Sequence, residues 1–180
     1  TFSGDATYLA YKYDSRDWFG GVDYHDRDSG FRADSGFVGP VGLKRAIARL
    51  GRVIYDSGDS WWDEIRTSLR VDRAVDEAGE LAEHKWTYRF GIGGPMQSWF
   101  QIALVDAREC EEGVLYDMNR LRAYAEFQPT SGLQLRILAT LGDQIDYSNN
   151  RLGKKRSIEP DISWNLSRNL LLRLRGVYSE

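Results

Sequence analysis

Residues 64–72 read Glu-Ile-Arg-Thr-Ser-Leu-Arg-Val-Asp, and this stretch decides the fold class. Polar and apolar side chains alternate in it, so that Ile65, Thr67, Leu69 and Val71 point one way and the charged residues point the other. A β-strand with two different faces has this period of two, whereas a helix needs apolar residues three and four positions apart. The stretch therefore predicts a β-strand.

The same alternation recurs along the rest of the chain. It is found, more or less cleanly, at 18–25, 85–92, 98–105, 119–128, 133–141 and 157–167. Residues 6–13 and 170–178 are also predicted strands, and 41–55 carries Lys or Arg on both faces, which predicts a bulge or a register change. We therefore predict one all-β domain, or a fragment of one, over residues 1–180. It is an antiparallel up-and-down meander of about ten strands and part of a transmembrane β-barrel.

The connections between these strands form a second pattern. Short turns with typical turn residues are predicted at 14–17, 56–60, 93–96, 129–132 and 167–169. Longer and more charged connections are predicted between them, at 26–40, 76–81, 106–117 and 142–156. Alternating short and long ends are typical of a meander whose two rims differ, as in outer-membrane barrels.

Composition excludes several classes of protein. The 180 residues carry 24 Lys+Arg against 27 Asp+Glu, and this near balance favours neither nucleic acid nor an acidic surface as a partner. Cys110 is the one cysteine, so an internal disulfide is excluded, and we predict no metal site and no cofactor. The longest apolar runs have four residues, which excludes transmembrane helices.

Two environments explain the alternation. In a soluble β-sandwich or lipocalin-like barrel the apolar face is the core, whereas in a membrane barrel it faces lipid and the charged face lines the lumen. Three features favour the membrane barrel: a strand repeat of about 18 residues (180 divided by ten), mixed charges on the polar face, and aromatic residues at strand ends. Those aromatic residues are Trp18, Trp61, Trp62, Trp86, Trp99 and Tyr147.

This interpretation assigns individual residues to each face. The residues predicted to face lipid are Leu69, Phe90, Ile102 and Leu135. The residues predicted to face the lumen are Arg66, Arg70, Arg89, Arg120, Arg122, Glu126, Arg136, Glu159 and Asp161. Arginines on one lumen wall would attract anions, but the carboxylates on the same faces favour a lumen held by salt bridges.

Two motifs resemble one bacterial family. They are Gly30-Phe-Arg-Ala-Asp-Ser-Gly-Phe37 and Gly142-Asp-Gln-Ile-Asp-Tyr-Ser-Asn-Asn-Arg-Leu-Gly153. They resemble segments of large outer-membrane proteins in which a carbohydrate-binding-like module precedes a C-terminal β-barrel domain of unknown function. In that family the first segment begins with Asp, where Gly30 stands here. The resemblance implies a barrel fold, the bacterial outer membrane, and a carbohydrate partner only through the upstream module, which lies outside these 180 residues.

Several groups of acidic and histidine residues could suggest a metal or catalytic site, but their sequence context favours a structural role. Asp23–Asp28 contains three carboxylates and His25, but we expect a solvated loop there rather than a cation site. Asp143 and Asp146 are expected to form turns, His84 lacks triad partners, and Glu111-Glu112 are loop neighbours that do not flank a sugar bond. We therefore predict that the chain is not an enzyme.

The predicted function is a transport, channel or surface-scaffold role in the outer membrane, with lipid as the surrounding partner. The alternative is a soluble all-β protein that binds a ligand in its mouth. Because residues 1–4 and 176–180 lack a leader and a terminal turn, we expect both ends to be cut from a longer chain. We further expect the first and last strands not to form a ladder with each other.

Overall fold

The computed structural model describes residues 4–31 and 41–180, and their regular structure is entirely β. No helix in these residues is long and apolar enough to cross a membrane. The strands are β1 (Ala6–Asp14), β2 (Trp18–Arg27), β3 (Leu43–Tyr55), β4 (Glu64–Asp76), β5 (Leu81–Gly94), β6 (Ser98–Glu111), β7 (Val114–Thr130), β8 (Leu133–Asp146), β9 (Arg151–Ser167), β10 (Leu170–Arg175) and β11 (Tyr178–Ser179).

The strands form one antiparallel sheet in which β1 to β10 follow each other in chain order. The short β11 pairs with β9 next to the end of β10. The prediction of an antiparallel up-and-down meander is therefore confirmed. Such a meander needs only hairpin connections, which is why local alternation in the sequence was enough to predict it.

Cross-strand register assigns every strand residue to one of two faces, because directly paired residues point to the same side. What we call the polar face carries, for example, Ser68 on β4, Arg89 on β5 and Ala103 on β6, which pair in that order. What we call the apolar face carries a row of six apolar residues on six successive strands. They are Leu50, Leu69, Tyr88, Leu104, Leu121 and Leu141.

The predicted bulge in 41–55 is wrong. β3 pairs with β2 and with β4 in unbroken register. Cations occur on both faces because those on the apolar face lie toward the two ends of the strand. Lys44 is near one end beside Asp26, and Arg52 is near the other with its guanidinium 5.3 Å from the Trp18 ring centre.

The prediction of long connections at 106–117 and 142–156 is also wrong. β6 continues to Glu111 and β7 begins at Val114, while β8 continues to Asp146 and β9 begins at Arg151. These charged segments are strand extensions at one rim, joined by short turns. They lack clear alternation because polar and apolar residues occur on both faces near the rim. Asp106 and Arg108 lie on the apolar face and Ala107 and Met118 on the polar face, so the period of two is lost although the ladder continues. The predicted connection 76–81 shortens to 77–80, and that at 26–40 lies largely outside the described residues.

β1 and β10 are the two edge strands of the sheet within the described residues. β1 pairs with β2 and β10 pairs with β9, and the two edge strands do not pair with each other. The expectation that the first and last strands form no ladder is confirmed for these strands. Both edges consequently present unpaired backbone N–H and C=O groups.

The buried apolar residues are few and lie mainly near the rim reached by the strand extensions. Ala107, Met118 and Ile145 form a small cluster, with Val105 and Tyr116 packed against it. Ile145 joins this cluster after Gly142, whose φ of +137° lies in a region that favours glycine. A Cβ at Gly142 would also overlap the carbonyl oxygen of Asn119, so this position requires glycine.

Candidate functional site

The polar face brings together all nine residues that were predicted to face a lumen. Register joins Arg89 through Ala103 to Arg122, and Glu126 through Arg136 to Asp161. The same pairing places Arg66, Arg70, Arg120 and Glu159 on this face. The structure therefore places these residues on one surface that spans β4 to β9.

The four residues that were predicted to face lipid share the opposite surface. Phe90 pairs directly with Ile102, and Leu69 and Leu135 lie on the same face in other cross-strand rows, where they pair with Tyr88 and Phe127. On the same face Thr67 donates a hydrogen bond to the Tyr88 hydroxyl at 3.1 Å. The sorting of both sets follows directly from the period of two in the sequence.

In a sheet that faces water on one side, the apolar face is buried and the polar face is exposed. Here the apolar face is the more exposed of the two. The row from Leu50 to Leu141 on the apolar face is between 38% and 59% exposed. On the polar face Asp72 is 0% exposed and Thr87 is 4% exposed. All described strands belong to one sheet, so no second layer of strands covers the polar face. Its side chains shield one another, which indicates that the sheet curves toward this face.

Ion pairs connect side chains along the polar face. Arg70 binds the Asp72 carboxylate with two hydrogen bonds, 2.8 Å from Nε to Oδ2 and 2.6 Å from Nη2 to Oδ1. Arg45 on β3 reaches Glu83 on β5 at 2.7 Å, and Arg136 and Arg175 both contact Asp161. These pairs span up to three strands, as the hypothesis of a salt-bridged lumen requires.

Aromatic rings cover glycines at two places on the polar face. The Phe19 ring lies over Gly51 and the Trp99 ring over Gly91, so that a Cβ at either glycine would overlap the ring. Arg66 lies between the two rings, with its guanidinium carbon 6.0 Å and 5.9 Å from their centres. Sequence analysis missed this arrangement, although an aromatic residue paired across a strand with glycine is a recognisable signal once the register is known.

Trp99 was named among the aromatic residues at strand ends, and it does lie at the start of β6, but not on the apolar face. It pairs with Glu126 and Gly93 on the polar face. The alternation in 98–105 already places Trp99 opposite Ile102, which was predicted to face lipid, so this position follows from the period of two. Trp18 and Trp86 do lie on the apolar face, while Trp61, Trp62 and Tyr147 lie in connections.

The acidic segment 23–28 is mostly strand rather than a solvated loop, because β2 extends to Arg27. Its carboxylates have partners within the sheet. Asp23 accepts a hydrogen bond from the Tyr8 hydroxyl at 3.1 Å, and Asp28 accepts one from the backbone N–H of Asp5 at 3.0 Å. Across residues 4–31 and 41–180, no group of three or more potential ligands forms a metal centre.

The other acidic and histidine positions lie apart from one another. His84 is on the apolar face of β5 and accepts a hydrogen bond from the Trp86 indole at 2.7 Å. Asp143 contacts Lys154 and accepts a hydrogen bond from the backbone N–H of Asn119. Glu111 ends β6 and Glu112 lies in the two-residue turn that follows. The structure brings none of them together into a catalytic group among the residues it describes.

The connection between β3 and β4 contains one carboxylate with a shifted pKa. Desolvation raises the pKa of Asp56, but hydrogen bonds from Ser60 and from the backbone N–H of Gly58 lower it by more, so the net pKa is below the ordinary value. The two backbone N–H groups lie 2.7 Å (Gly58) and 3.1 Å (Ser60) from Oδ2. The ionised carboxylate therefore organises this turn.

Comparison with protein-family models found no match to this chain. Searches of curated proteins and of solved structures likewise found no match. The resemblance of the two sequence motifs to an outer-membrane family thus stays a prediction. Of the two motifs, residues 32–37 of the first lie outside the described residues, and the second forms the hairpin of β8 and β9.

Proposed function

We propose that this sheet is part of a β-barrel in the bacterial outer membrane, with its apolar face toward lipid and its polar face lining the lumen. The observation that carries the proposal is the inverted burial of the two faces. A wide exposed apolar surface is unfavourable in water, where contiguous patches on monomers rarely exceed a few hundred Å². In a bilayer the same surface costs nothing, and the charges are kept away from hydrocarbon.

The arrangement of the strand ends supports the same proposal. On the apolar face the row next to Leu104 and Leu121 contains Asp106 and Asn119, and the following row pairs Arg108 with Asp117. The apolar band therefore ends at this level, and the polar hairpins continue beyond it. In outer-membrane barrels the longer polar ends are extracellular and the tight turns are periplasmic, so we assign this rim to the outside.

The role that fits this arrangement is transport, channel formation or a surface scaffold, without catalysis by these residues. The polar face carries ion-paired side chains that could line a lumen, rather than a nucleophile beside a general base. A link to carbohydrate rests on the upstream module that the motif resemblance implies and on no residue of this chain.

Extraction from cells tests this proposal. The protein, expressed with its natural flanking sequence, should fractionate with outer membranes, require detergent, and change its gel mobility on heating. A monomer that stays in solution in plain buffer would contradict the proposal and favour the soluble ligand-binding alternative.

A further inference from the structure

Five arginines occupy two adjacent cross-strand rows in the middle of the polar face. One row runs from β3 to β7 through Arg49, Arg70, Thr87, Val105 and Arg120. The next runs through Gly51, Ser68, Arg89, Ala103 and Arg122. Neither row contains a carboxylate between β3 and β7, although the chain as a whole has more acidic than basic residues.

Three carboxylates beside these rows already have cationic partners. Asp72 is bound by Arg70, Glu83 by Arg45 and Lys85, and Glu64 by Arg66. Arg89 and Arg122 have no ion pair and no side-chain hydrogen bond with any residue in the described ranges 4–31 and 41–180. Asp72 therefore neutralises Arg70, whereas Arg89 and Arg122 keep charges that no ion pair neutralises.

A cavity of about 400 Å³ opens on this part of the polar face. Its lining includes Arg89, Arg120 and Arg122, with Gln101 and Tyr124 as additional polar groups. Ala103 lies directly between Arg89 and Arg122 in the register, so no bulky side chain separates them. Strands two positions apart are about 10 Å from each other, which leaves room for an anion between two long arginine side chains.

We propose that this cavity binds small organic anions through Arg89 and Arg122, with Arg120 at its edge. Guanidinium groups bind carboxylate and phosphate oxygens with paired hydrogen bonds, so the ligand class is a molecule that carries one of these groups. This inference rests on the proposed function, because a lumen wall is what gives such a molecule access to the polar face. It adds that the lumen prefers anions over cations.

The test measures binding of citrate, and separately of inorganic phosphate, to the full-length protein in detergent by isothermal titration calorimetry. Arg122→Gln and Arg89→Gln should each weaken citrate binding about tenfold, because each removes a charge-assisted pair of hydrogen bonds. Arg168→Gln is the matched control, since it removes the same charge from the turn between β9 and β10 and should leave binding unchanged. Arg122→Lys keeps the charge without the planar fork and should give an intermediate affinity.

Heat-modifiable gel mobility of each variant shows that it has folded. The inference is overturned if the folded wild-type protein binds neither anion, or if Arg168→Gln weakens binding as much as Arg122→Gln. Either result leaves the membrane proposal intact. A protein that is monomeric without detergent and still loses citrate binding in Arg122→Gln would instead contradict the membrane proposal and retain the anion site.

Discussion

The indole ring of Trp99 lies over Gly91 on the neighbouring strand, on the same face as the arginines. The close approach is possible because glycine has no Cβ, and the ring covers backbone that would otherwise be bare. The pair shows that the polar face is packed as well as charged. It also accounts for the position of Trp99 away from the lipid-facing surface that we propose.

Replacing Gly91 by Ala should destabilise the sheet by about 1–3 kcal/mol, because the new methyl group overlaps the indole ring and forces it to move. Gly153→Ala is the control, since a Cβ there meets only the carbonyl oxygen of Gln144 at 3.6 Å. Urea unfolding of the protein in lipid vesicles measures both. Equal stability of the two variants would show that the ring does not depend on the glycine.

The Arg70–Asp72 pair should show strong coupling. Asp72 is fully buried and Arg70 is its bidentate partner, so Asp72→Asn should cost about 1–3 kcal/mol. The amide keeps one acceptor oxygen but turns an N–H donor toward the second guanidinium N–H and removes the negative charge. A double-mutant cycle with Arg70→Gln isolates the interaction. A coupling energy near zero would mean that solvent replaces the partner at no cost.

Asp56 should titrate below the ordinary aspartate range. Its pKa is lowered in the folded protein, so its stabilising contribution is complete above the unfolded-state pKa of about 4 and is lost as the pH falls through the folded value. Carboxyl ¹³C chemical shifts followed against pH give the midpoint. A midpoint for Asp56 at or above the ordinary aspartate value of about 4 would contradict the turn geometry.

Adding a charge to the apolar face should destabilise the protein more than removing a charge from the polar face. Leu69→Arg places a charge on the apolar face and should cost about 2–4 kcal/mol if it lies near the bilayer midplane. Arg122→Leu removes an unpaired charge from the polar face and should be tolerated. Refolding yield and urea midpoints in vesicles measure both variants. A larger loss for Arg122→Leu would show that the two faces have been exchanged.

Much of the fold could be predicted from the sequence because a hairpin meander is built from local alternation. The facing of Arg89, Arg122, Phe90 and Leu135 followed from parity alone, since each lies within a continuous period-two strand. The strand extensions around Glu111 and Asp146 could not be predicted in this way. Polar and apolar side chains occur on both faces there, so the periodicity that marks a strand is absent.

The contacts of the site depend on register, and register is not visible in a single strand. The contacts of the Phe19 ring with Gly51 and of the Trp99 ring with Gly91 could not be predicted, because each joins residues on two different strands. The same holds for Ala103 between Arg89 and Arg122. The prediction of a salt-bridged face accounts for Asp72 and Asp161 but missed that the two central rows contain no acid.

The environment of adjacent residues on one strand decides whether the apolar face contacts lipid. Single nitroxide labels at Ala103 and Leu104 of β6, in protein whose Cys110 is replaced by Ser, are compared in vesicles by spin-label accessibility. We predict that the label at 104 collides mainly with lipid-soluble oxygen and the label at 103 mainly with a water-soluble nickel complex. The same alternation should hold at Ser68 and Leu69. Preferential contact of the labels at 69 and 104 with the nickel complex would contradict the account.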